Sequence, residues 1–101
     1  MMLLFLAFAL AAAPVDKALE SARDTQDRAA LERMAAEAGG AAAKQAQDAR
    51  AQYRSAVVHS YLAEVALELR DKNRAKDAAE AGIQAAQKAV ALDGKTATKP
   101  C

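Results

Sequence analysis

Thirty of the 101 residues are alanine, and this limits the fold more than any other feature of the chain. Alanine buries little area of its own, so a core made from it forms only where backbones come close together. It is also the strongest intrinsic helix former, and Glu, Lys, Arg, Leu and Gln, which supply much of the remainder, follow it in rank. Val and Ile are few, and no run alternates apolar with polar residues as a half-buried strand would. The sequence therefore predicts an all-α chain of antiparallel helical hairpins. A hydrophobic fraction of 53% overstates the available core. Aromatic residues are limited to Phe5, Phe8, Tyr53 and Tyr61. The length allows one small domain, near the lower end for a self-sufficient core.

Residues 1–13 are uninterrupted apolar and end in small side chains. That is the form of a secretory h-region followed by an Ala-x-Ala cleavage site, with Ala9-Leu10-Ala11 placing the cut after Ala11 and Ala13 as the other small-residue option. The run is shorter than the roughly 20 residues that span a bilayer. No Lys or Arg precedes it, which departs from the usual n-region. The expectation is an exported protein, periplasmic or secreted. Fourteen basic residues stand against thirteen acidic ones, interspersed along the chain, for a net charge of +1. No basic stripe offers itself to phosphates, so nucleic acid is not an expected partner.

Pro14 to Ala38 is predicted as the first helix after the leader, with Val15, Leu19, Ala22, Met34 and Ala29 or Ala30 on a thin apolar stripe. Oppositely charged i,i+4 pairs, among them Arg23–Asp27, Asp24–Arg28 and Arg28–Glu32, mark its solvated face. Gly39-Gly40 is expected to end it. A long helix from Ala41 to about Arg70 follows, its seam formed by Val58, Leu62, Val65 and Leu69. The polar stretch Asp71-Lys72-Asn73-Arg74 then turns the chain, with Asn73 or Asp71 as the cap. The last helix runs to Leu92 and stops at Asp93-Gly94, leaving residues 95–101 as a tail. Its predicted inward face is Ala75, Ala79, Gly82, Ile83, Ala86 and Val90.

A helix pair with small residues on its facing surfaces resembles a tetratricopeptide repeat. Leu62, Val65, Ala66 and Leu69 stand at the spacing of that family's W-x2-L-G-x2-Y first helix. Ala89, Val90, Ala91 and Leu92 follow the usual close of its second helix, with Gly94 where Pro is common. Gly82 takes the place of the small residue that packs on the first helix, and Ala86 stands where an aromatic is common. The resemblance covers about 40 residues, is about four residues longer between anchors than the 34-residue repeat, and lacks the family's aromatics. It implies a stacked-helix scaffold that binds a protein or peptide, with packing carried by Leu62, Val65, Ala66, Leu69, Gly82, Ile83, Ala86, Ala89 and Leu92. One hairpin cannot bury its apolar face alone. The expectation is thus either the N-terminal part of a longer repeat protein or a bundle that associates with itself.

The chain offers little chemistry. His59 is the sole histidine and Cys101 the sole cysteine, so no metal-ligand spacing arises. Glu64 and Glu68 share a helix face but read as solvated. The serines lack a G-x-S-x-G context, and the glycines form no phosphate-binding loop. No cofactor, metal, small-molecule substrate or catalytic residue is expected. The alternative to the repeat scaffold is a self-associating bundle or coiled coil of the cell envelope, acting as a spacer or holdase. Its heptad seam would be Ala46, Ala49, Tyr53, Ala56, Ser60, Ala63 and Leu67.

Overall fold

A computed structural model describes residues 17–98, with side chains described for residues 17–93. The leader reading, Pro14 and Cys101 lie outside the described residues. Within them the chain is helical with no strand. We label the helices α1 (residues 17–24), α2 (Arg28–Lys44), α3 (Ala49–Glu68) and α4 (Lys72–Thr98).

Two turns of the same design join α1 to α2 and α3 to α4. At the first, the Gln26 N–H donates to Arg23 O and the Asp27 N–H to Ala22 O. At the second, the Arg70 N–H donates to Leu67 O and the Asp71 N–H to Ala66 O. This is the Schellman closure, which satisfies the orphan carbonyls of a helix end. It puts Gln26 at φ 54° and Arg70 at φ 66°, a left-handed conformation that costs a non-glycine residue about 1–2 kcal/mol. The aspartate that follows each turn starts the next helix. Asp27 Oδ1 accepts from the Ala30 N–H at 3.1 Å, and Asp71 Oδ1 from the Arg74 N–H at 3.1 Å. Asp71, and not Asn73, is therefore the cap.

The connection between α2 and α3 falls at residues 45–48. Asp48 caps α3 through the Arg50 and Ala51 N–H groups. Gln52, 2% exposed, reaches back from α3 and donates to Ala42 O at 2.9 Å and Gln45 O at 3.3 Å, closing the end of α2. The expected long helix from Ala41 to Arg70 is thus two helices, and Ala46 of the expected heptad seam lies in the turn between them.

Both glycine stops are also corrected. α2 runs through Gly39-Gly40 and α4 runs through Asp93-Gly94 to Thr98, so residues 95–98 of the expected tail are helical. No described glycine has positive φ. A glycine inside a helix costs about 1 kcal/mol. Burial of Ala38 and Ala42 on either side of the Gly39-Gly40 pair holds the helix together across it.

α3 lies at the centre, with α2 and α4 packed against it. The core is one cluster that includes Leu19 and Ala22 from α1, Ala30, Leu31, Ala35 and Ala38 from α2, Val58, Leu62 and Val65 from α3, and Ala78 from α4. Leu19, Leu31, Val58, Leu62 and Val65 are its largest fully buried apolar side chains, each stabilising by about 1.5–3 kcal/mol. Half of the ten positions are alanine, as the composition demanded.

The face that α4 turns to α3 is Ala75, Ala78, Gly82, Ala85 and Ala89, all buried. A Cβ on Gly82 would meet Ala56 O at 3.4 Å and the His59 Cβ and Ser60 Oγ at 3.5 Å. Gly82 is therefore a point of close approach, and alanines at three-, four- and seven-residue steps around it keep the backbones near. That rotation of α4 turns Ala79, Ile83 and Val90 of the expected inward face out to solvent.

Candidate interaction surface

Of the nine residues expected to pack the hairpin, Leu62, Val65, Ala66, Gly82 and Ala89 are buried, and Ala86 and Leu92 are half-buried. Ile83 is 57% exposed and Leu69 45% exposed. Leu69 is the C-cap of α3, where the Schellman turn carries the chain away from the seam. Ile83 follows Gly82 by one residue, about 100° round the helix from the contact.

Side chains stitch the two turns together. Gln26 Nε2 donates to Glu68 Oε1 at 2.9 Å, and Arg28 Nη2 to Asp71 Oδ2 at 2.6 Å. Arg74 grips Glu32 with two bonds of 2.8 and 2.7 Å, and Arg28 also lies 3.7 Å from Glu32. The Arg74 side chain, by hydrogen bonding, holds the Glu32 carboxyl below its ordinary range. The Asp71 carboxyl is likewise lowered, first by the Arg74 backbone N–H and then by the Arg28 side chain. On α1, the Arg23 guanidinium lies 4.6 Å from the centre of the Tyr61 ring on α3. The ladder went unread in the sequence. Its signal was the recurrence of Asp-Arg at Asp27-Arg28 and Asp-Lys at Asp71-Lys72, 44 positions apart.

The hairpins α1–α2 and α3–α4 thus share one turn design at a 44-residue step. Ala-Ala-Glu-Ala-Gly also recurs, at residues 35–39 and 78–82, but one position out of that register. As a result Gly39 and Gly82 address His59 differently. Gly39 approaches from α2, where an added Cβ would lie 3.8 Å from His59 Cε1, whereas Gly82 lies against the His59 Cβ from α4.

The outer side of α4 carries an exposed apolar surface. Ile83, Ala86, Gln87, Val90 and Ala91 line an open depression of about 410 Å³, all from a single helix. Val90 is 69% exposed. A volume of this size falls in the range of small-molecule sites. Such sites, however, are enclosed and carry converging polar groups, whereas this strip is shallow and offers apolar contact along one helix. Its shape suits another helix. A second depression of about 240 Å³, lined by Met34, Glu37, Ala38, Ala41, Ala51 and Arg54, lies between α2 and α3 and falls below that range.

Of the titratable residues singled out in the sequence, His59 and Glu68 have hydrogen-bond partners. His59 Nδ1 lies 2.8 Å from Ser55 O and 3.3 Å from Ser55 Oγ. Glu68 accepts from Gln26, and Glu64 is exposed. Among the described residues no three His, Cys, Asp or Glu side chains gather as a metal site, and no helix is long and apolar enough to cross a membrane. The chain matches no family model, no curated protein and no solved structure.

Proposed function

We propose that this chain is a non-catalytic scaffold for protein–protein interaction, built of stacked helical hairpins and offering the outer face of α4 to an α-helix. The stripe of exposed Ile83 and Val90 with half-buried Ala86 between them carries this reading, because it is a helix-shaped apolar surface with no helix on it among the described residues. The tetratricopeptide-like spacing of Leu62, Val65, Ala66 and Leu69 supports the same class of protein. The 44-residue step is longer than that family's 34 and lies within the roughly 40–47 residues of other helix-pair repeats. The apolar run at residues 1–13 supports export, with the scaffold working in the periplasm or outside the cell.

A photo-reactive amino acid at position 83 tests the reading in the producing cell, with position 88, about 140° round α4, as the control. The expected result is an adduct to a polypeptide from position 83 that is absent from position 88 and lost with Val90→Arg. Equal labelling from both positions, or none from position 83, refutes it. The mass of the accumulated protein tests export, since a chain that retains residues 1–13 refutes cleavage.

A further inference from the structure

The contacts between the two hairpins define a step, and the step can be applied once more. Arg23 meets Tyr61, Gln26 meets Glu68, Arg28 meets Asp71, and Gly39 approaches His59. Advancing the first member of each pair by 44 residues gives Leu67, Arg70, Lys72 and Ile83. These lie on the far side of the second hairpin, and all four are exposed; Leu67 stands at 59%. The outer edge of the second hairpin therefore keeps the basic Arg28 as Lys72, gains a second base at Arg70, and replaces Arg23 and Gly39 with the apolar Leu67 and Ile83. Its bulky apolar side chains project into solvent.

The complementary edge is present on the same chain. Stepping back by 44 residues from Glu68 and Asp71 gives Asp24 and Asp27, both acidic and exposed. A second copy placed by the same step sets Asp24 against Arg70 and Asp27 against Lys72, with opposite charges at both positions. Asp27 is already arranged as Asp71 is. Its Oδ1 caps a helix at 3.1 Å, as that of Asp71 does, while Oδ2 of Asp71 takes Arg28. Oδ2 of Asp27 is left in the corresponding place for Lys72. Stepping back from Leu62 and Val65, which lie in one core cluster with α1 and α2, gives Ala18 and Ser21, small and exposed, so the α1 edge offers no bulk against a second copy. Two rungs are not reproduced: Lys17 would face Leu67 where Tyr61 faces Arg23, and Lys76 would face Ala30 where Glu32 faces Arg74. The contact between copies is accordingly weaker than the one within the chain.

We infer that the occupant of the α4 face is a second copy of this chain, stacked head to tail with its α1 edge on the α4 edge of its neighbour. The inference rests on the reading of α4 as a docking surface and names what docks there. Such a contact is heterologous, so it does not close as a twofold dimer would, and it extends into rows or rings.

Sedimentation velocity on the full chain tests this with two blocked variants, each first checked for native helix content. Ile83→Arg with Lys72→Glu blocks the α4 edge, and Ala18→Arg with Asp24→Lys blocks the α1 edge. All four positions are exposed. The unaltered chain is expected to grow in mass with concentration, with each variant alone at least tenfold weaker in self-association. A mixture of the two variants is expected to form a one-to-one dimer that grows no further, because each supplies the edge the other lacks. A chain that stays monomeric at every concentration overturns the inference. So does association insensitive to Ile83→Arg with Lys72→Glu, or a mixture that fails to pair. If the chain is monomeric while position 83 cross-links to a different protein, this inference falls and the scaffold reading stands. If position 83 gives no adduct, both fall.

Discussion

Replacing Gly40 with alanine separates two accounts of the chain by the sign of its effect. Gly40 sits inside α2, its φ is not positive, and a Cβ there would meet nothing within 4 Å. Alanine gains about 0.8–1.0 kcal/mol over glycine in a helix interior, so Gly40→Ala should stabilise the fold by about that amount. For a domain of this size that raises Tm by roughly 4–8 °C. Gly39→Ala should do nearly as much, because its Cβ would rest 3.8 Å from His59 Cε1, an ordinary contact. Gly82→Ala should be close to neutral, since the same helical gain is offset by three contacts of 3.4–3.5 Å with Ala56, His59 and Ser60. Had Gly39-Gly40 ended the helix in a left-handed conformation, alanine there would instead cost about 1–2 kcal/mol. Thermal and urea melts of the three variants read the difference. A loss of stability in Gly40→Ala refutes the continuous α2.

Other perturbations have outcomes fixed by the same structure. Leu62→Ala empties a fully buried site and should cost about 2–5 kcal/mol, whereas Ile83→Ala, on the exposed face, should stay within about 0.5 kcal/mol in urea melts. Equal losses from the two would contradict the orientation of α4. The folded-state pKa values of Glu32 and Asp71 are lowered, so their contribution is present above the ordinary carboxylate range and is lost as pH falls through the folded values. Denaturant titrations should therefore show stability falling with acid below about pH 4, with a smaller slope in Glu32→Gln. A double-mutant cycle on Glu32 and Arg74 should return a coupling of about 0.2–1 kcal/mol that shrinks with added salt, as expected for a pair about one-third exposed. Zero coupling at low salt would separate the two hairpins.

What the sequence disclosed followed from its bulky residues. Val58, Leu62 and Val65 at helical spacing marked the centre of the core, and Asp71 in a polar break marked the second turn. Gly82 was legible because a lone glycine among alanines on an inward face signals close approach. Helix ends were harder to read. Glycine at Gly39-Gly40 and Gly94 suggested stops, yet a helix ends where a turn closes its carbonyls and a cap opens the next one. Among the described residues all three breaks are followed by an aspartate cap: Asp27, Asp48 and Asp71. The expected i,i+4 pairs Arg23–Asp27 and Asp24–Arg28 span the first break. There Arg23 instead pairs with Asp24 and covers Tyr61, while Arg28 reaches Asp71. The Arg28–Glu32 pair, wholly within α2, is present at 3.7 Å.

The rotation of α4 departs from the expected one for a related reason. Its outward residues are bulkier than its inward ones, and periodicity alone favours burying the larger side chains. The close approach at Gly82 decides otherwise. Ala75, Ala78, Ala85 and Ala89 go inward, leaving Ile83 and Val90 as surplus apolar surface, and the functional reading of the molecule begins from that surplus.

Backbone assignment of the isotope-labelled chain by NMR, with side-chain shifts for Arg23, tests the stacked-hairpin arrangement most directly. The account predicts helical Cα shifts continuous through Gly39-Gly40, interruptions at residues 25–27, 45–48 and 69–71, and Arg23 side-chain protons shifted upfield by the Tyr61 ring 4.6 Å away. Helical shifts running unbroken from Ala41 to Arg70, with a break at Gly39-Gly40 and no ring-current shift on Arg23, would contradict it.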